Sequence, residues 1–343
     1  MAILASLVWM CPLGEVFGVR ALRLTDGVLQ VADVPCPSAA DEALVRVEYA
    51  GICATDAAIL NGYANFSGTL GHEFVGVVET APDAGWVGRR VVADINVGCG
   101  ACCTCAAGNA RHCPRRTVLG IRDRDGAFAE FVTVPAANLY AVPESISPLA
   151  AVFTEPLAAA CRILEQVAIP PGSLIGVLGD GKLGQLIAQV LRAHGLSVRL
   201  VGRHAGKLRI AEKLGLQVQT ADALKTATHR FDVVVEATGR ADGFADALRL
   251  VRPQGTVVLK TTGREAWPLP SAAVVVPEVT LIGSRCGNMA AALQLLAEQK
   301  VNPLVLIEAV YDLADGLRAV EHARRPGALK VLLRMASAAV SED

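Results

Sequence analysis

The stretch Leu174-Ile175-Gly176-Val177-Leu178-Gly179-Asp180-Gly181-Lys182-Leu183-Gly184 decides how this chain is read. A compact apolar run over 174–178 reads as a strand and ends on a G-x-G-x-x-G turn. Residues 182–194 then carry helical periodicity, with Leu183, Leu186, Ile187, Val190 and Leu191 on one face. Strand, glycine turn and helix in that order give the three glycines a physical purpose. They permit a tight turn, bring the backbone close to a pyrophosphate, and aim the helix N-terminus at it. Gly179, Gly181, Lys182, Leu183 and Gly184 are therefore expected to bind a dinucleotide.

Outward from this stretch, strands at 197–201, 231–237 and 256–260 alternate with helices at 207–214 and 241–250. The alternation predicts a doubly wound parallel sheet over 157–290. Earlier, from about residue 20 to 155, short strand-like pieces at 44–48, 74–78 and 128–132 are separated by Gly, Pro and Asp. They predict an antiparallel β domain over 19–156. Residues 291–343 return to helix, strand and loop and are expected to rejoin that first domain. Residues 1–10 are apolar but short, with no basic segment before them and Pro12 and Glu15 soon after. They read as an upstream extension or an expression remnant rather than a signal peptide, with the domain starting near Val19.

The second strand of the parallel sheet ends Leu200-Val201-Gly202-Arg203-His204. An NAD-binding protein usually carries Asp or Glu there to hold the ribose 2'-hydroxyl. Here the position falls on Gly202, followed by Arg203 and then Lys207. A missing carboxylate and added cations suit a 2'-phosphate, so NADP is expected over NAD. The plainer alternative is that Arg203 stacks on adenine or faces water.

The chain has ten cysteines, and Cys99, Cys102, Cys105 and Cys113 follow the spacing C-x2-C-x2-C-x7-C. Four thiolates at that spacing reach one tetrahedral centre, and a closed all-cysteine zinc site is structural. It staples a lobe over 96–116 and offers no open position for chemistry. Cys103 is surplus and is read as pointing away. A second set is dispersed: Cys53 in Gly51-Ile52-Cys53-Ala54-Thr55-Asp56, His72 and Glu73 in Gly71-His72-Glu73, and Glu155 before Pro156. Each fragment alone is ordinary. Together they supply one thiolate, one imidazole and one or two carboxylates, which is a three-ligand zinc site with room for substrate.

Composition bounds the alternatives. Hydrophobic residues make up 52% and charged residues 19% of the 343, so a large core can form and wholesale disorder is excluded. With 32 basic and 33 acidic side chains and no basic block, nucleic acid is not an expected partner. No apolar run is long enough for a bilayer span, so no membrane association is expected.

In combination these motifs resemble the zinc-containing medium-chain dehydrogenases/reductases, in particular the branch of sorbitol, threonine and related polyol dehydrogenases. The resemblance covers about 20–335 and includes Asp125-Gly126-Ala127-Phe128-Ala129-Glu130-Phe131, which is similar to the family's G-x-F-A-E-Y segment. It implies an α/β chain, with a GroES-like β-barrel catalytic domain and a Rossmann domain. By it, Cys53, His72 and Glu155 ligate a catalytic zinc, with Glu73 a neighbouring carboxylate that enters the coordination in some states. Asp56 would fix the His72 tautomer, and Thr55 would take the substrate's hydroxyl proton. Cys99, Cys102, Cys105 and Cys113 hold the structural zinc. Lys330 would reach the cofactor pyrophosphate, with Arg285 and Thr238 also at the cofactor. Many members carry a histidine proton relay five residues after the first zinc cysteine, where this chain has Ala58.

The activity implied is hydride transfer between a secondary alcohol or polyol, or the matching ketone, and NAD(P), in a cytoplasmic homodimer or homotetramer. Two alternatives stand beside it: a zinc-free quinone or enoyl reductase on the same scaffold, and a catalytically silent NADP-binding protein. Leu157, Trp86 and residues 95–97 are read as core rather than pocket.

Overall fold

The structure, a computed structural model, describes residues 18–38, 41–262 and 267–335. The reading made for residues 1–17 lies outside them. The described chain packs as two compact units, 18–142 with 310–321 and 332–335, and 143–309 with 322–331.

The first unit is antiparallel. β1 (Gly18–Thr25) and β2 (Val28–Pro35) form a hairpin, and the long β3 (Ala43–Gly51) leads into the short helix α1 (Ala54–Leu60). There follow β4 (Gly68–Thr69), β5 (Glu73–Thr80), β6 (Arg90–Ala93) and β7 (Asn96–Val97). The lobe helix α2 (Cys103–Ala106) precedes β8 (Thr117–Val118), β9 (Phe131–Val134) and β10 (Leu139–Ala141). One sheet has the order β2-β1-β4. A larger one runs β10-β6-β5-β3 and carries β9 on β3 as well. Val45, Ile52, Leu70, Val75 and Phe128 are buried in this unit, and β3 and β5 are buried along most of their length rather than at alternate residues.

The strand expected at 128–132 begins only at Phe131. The Phe128 N–H donates to the Leu70 carbonyl, and the Phe128 carbonyl accepts from the Leu22 N–H. Its backbone groups are thus satisfied across a loop, and the ring is free to fill the core.

The second unit opens with α3 (Pro148–Ala151) and α4 (Thr154–Gln166). Then β11 (Leu174–Leu178), α5 (Lys182–Ala193), β12 (Ser197–Gly202), α6 (Ala205–Lys213), β13 (Gln217–Thr220) and β14 (Phe231–Glu236) alternate. α7 (Ala241–Leu250), β15 (Val251–Leu259), α8 (Ala272–Val275), β16 (Thr280–Gly283) and α9 (Met289–Ala297) complete it. The sheet is parallel with order β13-β12-β11-β14-β15-β16. The order reverses between β11 and β14, which places the ligand crevice at the carboxyl ends of those strands. β11 is buried along most of its length, as a parallel strand covered on both faces must be. Leu186, Ile187, Val190 and Leu191 form the buried face of α5, as their spacing requires.

The last elements are β17 (Ile307–Asp312), α10 (Gly316–Ala323) and β18 (Lys330–Arg334). β18 returns to the first unit's sheet, with Leu332 paired to Gly51 of β3. The seams fall at 142/143 and 309/310, whereas the sequence placed them at 156/157 and 290/291. α4 is the reason for the first shift. It packs on α5 and α9 and buries Leu157, Ala160 and Ile163 there. Among the described residues, no helix is long and apolar enough to cross a membrane.

Candidate active site

The antiparallel register of β3 and β5 builds the first cluster. Gly51 at the end of β3 pairs with Glu73 at the start of β5, so the turn carrying Cys53 lies beside His72 and Glu73. Gly71 takes a left-handed φ of +95°, and a β-carbon there would run into the Phe128 ring. Only glycine lets the Gly71-His72-Glu73 turn close over that ring. Cys53 is the N-cap of α1, and its backbone N–H donates to Asp56 Oδ2 at 2.7 Å. Asp56 also sits 3.4 Å from His72 Nδ1, long for a hydrogen bond but close enough for strong attraction. One carboxylate thereby orients both the thiol-bearing backbone and the imidazole, leaving Nε2 as the ligating nitrogen. The Cys53 thiol donates to Thr55 Oγ1 at 3.7 Å.

Ligand atoms of Cys53, His72 and Glu73 all lie within 4.8 Å of one another. Burial alone lowers the pKa of His72, but the Asp56 carboxylate and the Cys53 thiol outweigh it and hold the imidazole well above 6.5. His72, Glu73 and Asp56 are buried, and neither His72 Nδ1 nor Asp56 Oδ1 has a well-formed hydrogen bond. Two buried carboxylates and a thiol around one imidazole form an anion-rich set that a divalent cation satisfies. The donor set fits zinc.

The four cysteines also converge. The sulfurs of Cys99, Cys102, Cys105 and Cys113 lie within 4.8 Å of one another, while Cys103, at the start of α2, is exposed. The Ala101 N–H and the Arg115 guanidinium, 3.2 Å from the sulfur, hold the Cys99 thiol down to about 6. Burial pushes the Cys105 thiol the other way, up to about 11, so what suits the set to a metal is the convergence of its four sulfurs. This set, too, fits zinc.

Glu155 stands in the second unit, in the first turn of α4. The Cys286 thiol donates to its Oε1 at 3.9 Å. Nearby, Lys260 donates to the carbonyls of Ala159 and Arg285 and to Ser284 Oγ. Burial pushes its ammonium down to about 8. Composition and spacing gave no sign of this buried lysine. Of the residues read as core, Leu157 and Ile95 are buried, but Trp86 is only half-buried under the Arg89 guanidinium.

At the glycine turn, a β-carbon on Gly179, which has φ +115°, would lie 2.5 Å from the Ala237 carbonyl oxygen. One on Gly184 would collide with the Gly179 carbonyl oxygen, whereas Gly181 at the N-cap of α5 has open space before it. The turn thus has the cradle a pyrophosphate needs, at the N-terminus of α5, whose Gly181 N-cap supplies no side-chain cap. Gly184→Ala is expected to cost about 3 kcal/mol of stability and to weaken dinucleotide binding, because the helix must move off the strand. Denaturant melting with a parallel NADH titration checks this, and unchanged values for both contradict it.

Other residues expected at the cofactor have local partners. Thr238 donates through both its N–H and its hydroxyl to Glu236 Oε1. Lys330 is buried with its ammonium 5.7 Å from the centre of the Phe153 ring. Around Gly202 stands a carboxylate that β12 itself does not supply. The Asp180 carboxylate lies against Gly202 and accepts the N–H groups of Arg203 and His204. Its signal was a charged residue inside the glycine motif.

Comparison with known proteins agrees with this architecture. The alcohol dehydrogenase GroES-like domain family matches residues 39–144, and the zinc-binding dehydrogenase family matches 183–298. A sorbitol dehydrogenase from Halalkalibacterium halodurans is 30% identical over 312 residues, 84% of this chain and 90% of that protein. An L-threonine 3-dehydrogenase from Bacillus subtilis is 31% identical over 66% of this chain and 71% of its own length. A solved zinc-binding dehydrogenase from Sinorhizobium meliloti 1021, bound to NADP, is 31% identical with a TM-score of 0.84, covering 92% of this chain and 99% of that one. The parallel sheet with its glycine turn, the GroES-like unit and these relatives agree: the chain belongs to the zinc-type alcohol dehydrogenase family of medium-chain dehydrogenases/reductases.

Proposed function

We propose that the protein transfers a hydride between a secondary alcohol or polyol, or the matching ketone, and NAD(P), with zinc as a resident metal. The mutual approach of Cys53, His72 and Glu73 within 4.8 Å carries this reading. Glu155 is the further ligand that the family resemblance adds. When bound, the metal supplies Lewis-acid polarisation of a substrate oxygen and the nicotinamide supplies the hydride chemistry.

This chain's residues do the rest. Cys53, His72 and Glu73 would bring the site near neutrality on a divalent ion, one thiolate and one carboxylate balancing its charge, and Glu155 as a further ligand would add a second negative charge. Asp56 locks the imidazole tautomer and the Cys53 backbone. Thr55 Oγ1, next to the Cys53 sulfur, takes the hydroxyl proton of the alcohol and passes it to water, since Ala58 offers no imidazole relay. Gly179 to Gly184 hold the pyrophosphate at the N-terminus of α5. Cys99, Cys102, Cys105 and Cys113 staple their lobe through a second zinc.

The test combines metal analysis with turnover. Two zinc ions per chain are expected, together with nicotinamide reduction on a panel of secondary alcohols and polyols that a chelator abolishes. One zinc per chain, or two with no turnover on any alcohol or ketone, would sink the reading.

A further inference from the structure

We propose that Asp180, inside the glycine turn, is the residue that selects NAD(H) over NADP(H). The inference rests on the hydride-transfer reading only in requiring that a nicotinamide dinucleotide binds the second unit.

In this fold the adenosine ribose meets the carboxyl end of the second strand, and an acidic side chain there accepts its 2'-hydroxyl. That strand is β12, and it ends at Gly202. On sequence alone that missing side chain leaves a place for phosphate. The structure fills it. A β-carbon built on Gly202 would lie 2.5 Å from Asp180 Cβ and would overlap the Asp180 carboxylate. The charge that other chains bring on the second strand comes here from the first turn, into the same space.

The hydrogen bonds point the same way. Asp180 Oδ2 accepts the N–H groups of Arg203 and His204, both at 2.7 Å, and Oδ1 lies 3.0 Å from His204 Nδ1. Those two N–H groups lead into α6 and are the donors a 2'-phosphate would use. They are already engaged by an anion. Burial works against ionisation of Asp180, but the His204 amide and ring and the Lys207 ammonium outweigh it, so the carboxyl stays below its usual range.

The cations counted toward a phosphate also face carboxylates. Arg203 is paired with Asp242 at 2.9 Å, and Asp242 is shared with Arg240. Lys207 stands 3.9 Å from Asp180, and the Leu329 N–H, the His322 ring and the Lys207 charge, in that order of effect, hold the Glu308 carboxyl below its usual range. A ribose hydroxyl can donate to Asp180, whereas a doubly charged phosphate has no proton to offer it and meets repulsion at close range. On this proposal the preferred cofactor is NAD(H), not the NADP expected from Gly202, Arg203 and Lys207.

The experiment is a fluorescence titration of the wild-type protein with NADH and with NADPH, repeated on Asp180→Asn and Asp180→Ser, each checked for folding by its melting curve. NADH is expected to bind about tenfold or more tighter than NADPH to the wild type. Both variants should narrow or invert that ratio, chiefly by tightening NADPH. Equal or tighter NADPH binding by the wild type overturns the inference, whatever the variants do. So does a folded variant with the wild-type ratio. Failure of both nucleotides to bind overturns the dehydrogenase reading along with it, and is distinct from a reversed ratio.

Discussion

Replacing Cys53 by serine is expected to lower turnover on the order of a thousandfold, about 4 kcal/mol in the barrier, while leaving NADH binding within about twofold. The hydroxyl of serine is a weak zinc ligand, since it stays protonated where a thiol ionises. The loss falls on one metal, so the zinc count should drop from two per chain to one. Binding is spared because the dinucleotide turn is built from Gly179 to Gly184 on β11 and α5, far along the chain from Cys53. The fold should hold as well, since the β3–β5 register and the Asp56 bond to the residue 53 N–H do not depend on the sulfur. Retained turnover in a protein that has lost one zinc would remove Cys53 from the chemistry. The same zinc count on Glu155→Ala decides the ligand that the family resemblance adds: a loss of one metal supports it, and two retained metals argue against it.

Cys113→Ser should act on stability instead. Cys113 is buried, and its sulfur lies 3.7 Å from that of Cys102. Three cysteines hold zinc far more weakly than four, and in such lobes metal binding is folding free energy. The lobe's own regular structure is slight: the short α2 and the two-residue strands β7 and β8. Cross-linking must therefore do what a core does elsewhere. A fall in melting temperature of about 10 °C is expected, with loss of one zinc per chain. Cys103→Ser, on α2, is the control, because Cys103 is exposed and lies outside the sulfur cluster. If the two serine variants melt alike, the cluster is not a staple.

The two cysteine sets were legible to different degrees. Four cysteines within fifteen residues can meet through local turns, so their spacing alone predicts a shared centre. Cys53 is separated from His72 and Glu73 by α1 and β4, and they become neighbours through the pairing of Gly51 with Glu73. Their grouping drew on family resemblance. Lys260 gave no signal, because its burial depends on α4 and the segment after β16 folding over the end of β15.

The sequence by itself determined the parallel sheet, its glycine turn and the helix that follows, because strand and helix periodicities and the steric demands of glycine are local. It also determined the four-cysteine lobe. The charge at the end of β12, by contrast, emerges from the folded chain. The sequence shows Gly202 followed by Arg203 and Lys207, an open and basic place. In three dimensions a side chain twenty-two residues earlier turns into that space, and each cation faces a carboxylate from Asp180, Asp242 or Glu308. Electrostatics at a site is a sum over neighbours in space, so reading one strand end could not supply its sign.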